Sequence, residues 1–213
     1  MLIRHAMSTL RHRTGDGGFT LLELMMVLAI TGIIAGVALP YMNSTLGYMK
    51  LSGVARSVSN GTSAAKIRSA AKFTRARLYV NRSANSFHLE ILDTSVLPLP
   101  AAGGHWTADG GTTYLPTSVT FGFGPVATPP LNTQTVIGQA TLCTDDTNAA
   151  IASTSCIMFN SRGIPIKTNL NPEDQDALYV TDGTNVYGVT ILATGFIATW
   201  HTPSAPAPAW IIS

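Results

Sequence analysis

After Glu23 no charged residue appears until Lys50. That gap constrains the chain more than anything else in it, because an apolar run this long must be covered by something. Leu24 to Leu39 are nearly all apolar, and with their flanks they reach the ~20 residues that span a bilayer. The run predicts a long N-terminal helix over 19–72, with a transmembrane half at about 22–41. Ahead of it, Met1 to Gly18 hold Arg4, Arg11 and Arg13 but no apolar core. A secretory signal places its hydrophobic stretch before the cleavage site. Here the order is reversed: the basic leader (1–18) ends in Gly17-Gly18, and the apolar run begins at Phe19. An arginine-bearing leader stays cytoplasmic, which puts the rest of the chain, 73–213, on the other side.

Glu23 is the anomaly in this run. A carboxylate near the start of a membrane helix costs up to roughly 3 kcal/mol unless partnered. Cleavage after Gly18 would give Phe19 a free α-amine in the same layer, able to neutralise a neighbouring subunit's Glu23. The run Gly18-Phe19-Thr20-Leu21-Leu22-Glu23-Leu24 resembles the prepilin processing motif of type IV pilins and type II secretion pseudopilins. The resemblance implies a membrane peptidase cutting between Gly18 and Phe19, N-methylation of Phe19, and a role for Glu23 in subunit assembly. It also implies a bacterial inner-membrane protein with a periplasmic C-terminal domain, built into a periplasmic or surface filament with other pilins or pseudopilins. Within the run, Gly32 and Gly36 are spaced for close helix approach, and Pro40 removes a backbone donor about midway along the helix.

Past Pro40, Leu51, Val54, Ala55, Val58, Thr62 and Ala65 recur at helical spacing and predict a face that packs on a sheet. Gly47, Gly53 and Asn60-Gly61 weaken that helix and predict a bend or fray. From Phe73 the period changes. Strands are expected at Leu78–Val80, Phe87–Leu92, Ser118–Phe123, Cys156–Phe159, Leu178–Val180, Val186–Leu192 and near Phe196–Trp200, with a turn over Arg82–Ser86 and a Pro/Gly-rich loop from Leu97 to about Asn132. The fold class is α+β: a long hydrophobic helix followed by an antiparallel β-sheet domain. Phe159 to Gly163, the following hairpin and the strand opening at Gly195 are similar to the H-type pseudopilin and FimT-like minor pilin family. The C-terminal tail alternates Pro with small residues and ends in Trp210-Ile211-Ile212, which should dock on an edge strand or on a neighbouring subunit.

Charge is unevenly spread. Lys50, Arg56, Lys66, Arg68, Lys72, Arg75, Arg77 and Arg82 form an acid-free stretch, whereas nine acids face Arg162 and Lys167 from Ser83 onward. Arg75, Arg77 and Arg82 beside Tyr79 carry an alternative reading, a DNA-binding minor pilin for natural transformation. Against it, DNA-binding relatives carry Gly-Arg-x-Arg on the terminal strand, where this chain has Gly195-Phe196-Ile197-Ala198. A solvated basic face or a subunit contact then accounts for the stretch. Cys143 and Cys156 could close a disulfide in an oxidising compartment, and no ligand-spaced partner makes them a metal site. Asp145-Asp146 and Glu173-Asp174-Gln175-Asp176 are read as solvated acidic loops rather than calcium ligands. No cofactor is expected, and no nucleophile motif or phosphate loop suggests an enzyme. The leading expectation is a minor pseudopilin or minor pilin of a type II secretion system or type IV pilus, which would contact other subunits, the prepilin peptidase/methyltransferase, and secreted cargo or secretion components.

Overall fold

The computed structural model describes residues 18–173 and 175–213, and in 38–44 the backbone alone. Leader residues 1–17 and Asp174, on which some expectations fall, lie outside the described residues. The chain divides into two compact units, residues 1–43 and 44–213.

One helix, α1, runs Leu21–Ala71. Its start is a cap that the sequence spells out. The Glu23 amide donates to Thr20 Oγ1 at 3.2 Å, and Thr20-x-x-Glu23 is the spacing of a capping box. Glu23 also lies where the helix dipole favours an acid. The first unit's described side chains from Leu21 to Val37 are all exposed.

The expectation of a membrane-spanning hydrophobic helix is corrected here. Among the described residues no helix is long and apolar enough to cross a membrane. The transmembrane half at 22–41 and the single-pass inner-membrane topology with a periplasmic domain fall with it. The fold class is therefore corrected too, to an α+β chain with antiparallel sheets and no such span.

In the second unit the expected helix face is buried: Leu51, Val54, Ala55, Val58, Thr62 and Ala65. The helix neither breaks nor frays at Asn60-Gly61. A Cβ on Gly61 would lie 2.9 Å from Leu78 Cδ1, so this glycine lets helix and sheet approach closely. The helix ends with Thr74 N–H bonding Ser69 O and Phe73 N–H bonding Ala70 O, the Schellman pattern. Its left-handed position is filled by Phe73, at φ 52°.

Two antiparallel sheets follow. The first contains β1 (Ala76–Asn81), β2 (Ser86–Asp93), β3 (His105–Ala108), β4 (Thr113–Tyr114), β6 (Thr154–Phe159) and β7 (Pro165–Ile166). Its order is β3-β2-β1-β6-β7, with β4 also pairing β2. The second contains β5 (Thr120–Phe121), β8 (Gln175–Thr181), β9 (Asn185–Leu192), β10 (Ile197–Pro203) and β11 (Ile211–Ile212), in the order β11-β10-β9-β8-β5. One core joins Leu51, Val54 and Val58 of the helix to Leu78, Val80, Ile157 and Phe159 of the first sheet and Leu178, Val180 and Val189 of the second. A smaller core gathers Val126, Ala177, Tyr179 and Val186, with Phe123, Ile137 and Trp210 packed on it. Ala177 and Tyr179 alternate with the inward Leu178 and Val180. The long loop and the tail thus cover the second sheet's other face, which is why β8 is apolar on both sides.

Candidate functional site

The N-terminal motif sits in a simple geometry. Gly18 and Phe19 precede the helix in exposed, non-helical backbone, and Phe19 is 82% exposed. Nothing lies within 4 Å of a Cβ built on Gly18. The helix cap at Thr20 fixes where regular structure begins, leaving the Gly18–Phe19 bond outside it. Glu23 stands one turn further on.

The three arginines do not come together on one surface. Strand alternation sends Arg77 and Tyr79 to the face of β1 away from the core. The register pairs Arg77 with Glu90 and Tyr79 with His88. Arg77 is 2% exposed. Its Nη2 lies 2.6 Å from Glu90 Oε2, its Nε donates to the same oxygen, and its Nη1 donates to Thr144 O at 2.7 Å. The guanidinium stacks 3.8 Å from the centroid of Trp106. Burial lowers its pKa, and the Glu90 carboxylate opposes that shift. Arg77 is thus spent within the fold. Arg75 is half-buried, its Nη2 donating to Ala102 O. Arg82 is exposed in the β1–β2 turn.

His88 and His105 border this network. His88 Nε2 lies 3.0 Å from Glu90 Oε1, and its ring packs 4.9 Å from that of Tyr79. His105 Nδ1 lies 2.9 Å from Asp146 Oδ2, while Asp146 Oδ1 accepts the Trp106 amide. The Glu90 and Trp106 roles escaped the sequence reading. Glu90 had a signal: a turn after Asn81 sets Arg77 directly opposite it. Trp106, across the long loop, had none.

Cys143 and Cys156 form a disulfide and are both buried. It ties the loop 143–151 to β6. Asp145 in that loop accepts hydrogen bonds from Thr147 and Ala149, which lower its pKa. Asp146 is lowered chiefly by the Trp106 amide. The other acidic segment is not a solvated loop, since Glu173 and Asp176 are each 6% exposed. Desolvation first, and then Glu173, push Asp176 up to about 8. Among the described residues no group of three or more His, Cys, Asp or Glu could hold a metal ion.

At the far end, Gly195 O accepts from Lys66 Nζ at 3.0 Å, and Phe196 is exposed. The tail docks on its own domain: β11 pairs with β10, Trp210 Nε1 donates to Thr128 O at 2.9 Å, and its ring packs on Tyr179.

Residues 13–39 match the Prokaryotic N-terminal methylation motif. Gly18, Phe19 and Glu23 fall inside this match. The chain therefore carries a prepilin-type N-terminal methylation motif, characteristic of the type IV pilin and type II secretion pseudopilin superfamily in general. The motif implies processing by a peptidase and methyltransferase of pilin biogenesis. Neither the curated proteins nor the solved structures gave a match.

Proposed function

We propose that this chain is a minor pseudopilin or minor pilin, a structural subunit of a type II secretion or type IV pilus filament. The observation that carries the reading is the methylation motif over residues 13–39. It opens a helix whose apolar side chains from Leu21 to Val37 are exposed. In a filament the same helix of neighbouring copies supplies the missing cover. Phe19 is the methylated N-terminus after cleavage at Gly18, and Glu23 of one copy neutralises the amine of another. Two observations favour a small number of specialised contacts over DNA capture. Arg77 is neutralised by Glu90, and the segment leading into β10 presents Phe196 where DNA-binding minor pilins carry arginine.

Co-expression with a prepilin peptidase tests this directly. Intact-mass measurement should show loss of residues 1–18 and one added methyl group on Phe19. Gly18→Val should remain full length, and Glu23→Ala should be processed yet fail to cross-link with its own copies. An unprocessed wild-type chain would sink the reading.

A further inference from the structure

Arg75, just before β1, and Arg77, within it, are two residues apart, yet their charges are handled differently. Arg77 has Glu90. Arg75 has a single carbonyl, that of Ala102, and no carboxylate pairs with it among the described residues. Burial lowers its pKa, with no acid offsetting the shift. A half-buried guanidinium without a counter-charge is costly unless an anion joins it.

The surroundings suit such an anion. Arg75 opens into a pocket of about 350 Å³ whose other polar walls are Thr144, Asn148, Thr168 and Asn169, all neutral. Among the described residues no acidic side chain lines it. Hydroxyl and amide groups of this kind donate to oxyanions without adding charge. Two features hold the walls in place. The Cys143–Cys156 bridge anchors the loop carrying Thr144 and Asn148. Gly103, at φ 78°, leaves room for the guanidinium, since a Cβ there would sit 3.3 Å from Nη2.

We infer that this pocket binds an oxyanion, a carboxylate or a phosphate group, on the Arg75 guanidinium with Thr144, Asn148, Thr168 and Asn169 as neutral donors. Arg75 offers a planar fork that matches either group. The site does not depend on the filament reading, since every residue in it belongs to the second unit.

The test is a titration of the full chain in detergent with sodium phosphate and, separately, sodium acetate, sodium chloride holding ionic strength constant. Amide NMR shifts of Ala102, Thr144, Asn148 and Asn169 report occupancy. Saturable shifts are expected. Response to phosphate alone would assign phosphate groups, and response to acetate would assign carboxylates. Arg75→Gln should weaken binding at least ~tenfold, the scale of one charged hydrogen bond. Ala101→Glu, on the pocket rim with Arg75 intact, should do the same by tethering a competing carboxylate, and it decides the matter if Arg75→Gln does not fold. Non-saturable shifts in the wild type, or binding unchanged in Ala101→Glu, would overturn the inference.

Discussion

Asp176 shows how one residue can set a pH dependence. Its carboxyl is buried and its folded pKa is raised to about 8, by desolvation first and by Glu173 second, against roughly 3.9 in an unfolded chain. Between these values the unfolded state has released a proton that the folded state keeps. Stability from this group is therefore complete below about pH 4 and is lost as pH rises through about 8. Asp176→Asn keeps an acceptor for the Ala177 amide that Asp176 Oδ1 now bonds and removes the titration. Thermal melts should show the variant gaining most on the wild type near pH 8 and little at pH 4; a parallel pair of curves would count against a buried, neutral Asp176. Arg77 makes the opposite case. Arg77→Ala would leave Glu90, whose side chain is 13% exposed, beside His88 without its guanidinium partner, at a cost of about 3 kcal/mol, readable in urea unfolding. Gly188 is a third sensitive position, because a Cβ there would sit 2.7 Å from the ring of the fully buried Tyr179. Gly188→Ala should cost about 1–3 kcal/mol through overpacking, measured the same way.

At the scale of elements, what could be read in the sequence follows periodicity. The helix face from Leu51 to Ala65 recurs at three and four, and β1, β2, β6, β8 and β9 carry apolar runs or alternations. All were visible, though the structure extends most by one to three residues. β3 and β4 carry exposed or half-buried side chains, so no burial pattern marks them. β7 and β11 are two residues each and exist only because a longer strand lies alongside. The expected strand Ser118–Phe123 shrinks to Thr120–Phe121, its chain leaving to cover the smaller core. The candidate site divides the same way: Gly18, Phe19 and Glu23 were legible as a linear motif, while Glu173 and Asp176 read as solvated because burial by a distant loop leaves no mark in local composition. The helix end holds a misfit that sequence hides entirely. Phe73 takes the left-handed position, where a bulky residue is strained, and its side chain is exposed. Phe73→Gly should stabilise the second unit by about 0.5–1 kcal/mol, seen as a higher melting temperature.

For the whole molecule, the two units answer to different forces. Every residue of the larger core lies at or beyond Leu51, and every residue of the smaller one at or beyond Phe123. The second unit closes its sheets with its own tail, where Trp210 caps Tyr179 and β11 extends β10. Among the described residues, neither core includes any before Leu51. A chain of residues 44–213 is therefore expected to keep the disulfide, both cores and a cooperative melt close to that of the full chain. The first unit has the reverse character: its described side chains from Leu21 to Val37 are all exposed. Hydrophobic surface of that extent drives association in water. Sedimentation velocity should thus find the 44–213 chain monomeric at concentrations where the full chain self-associates without detergent. A truncated chain that melts many degrees lower would mean the first unit contributes to the fold as well as to assembly. One that self-associates like the full chain would move the assembling surface onto the sheets, with the exposed Phe196 and Ile67 as the first side chains to replace.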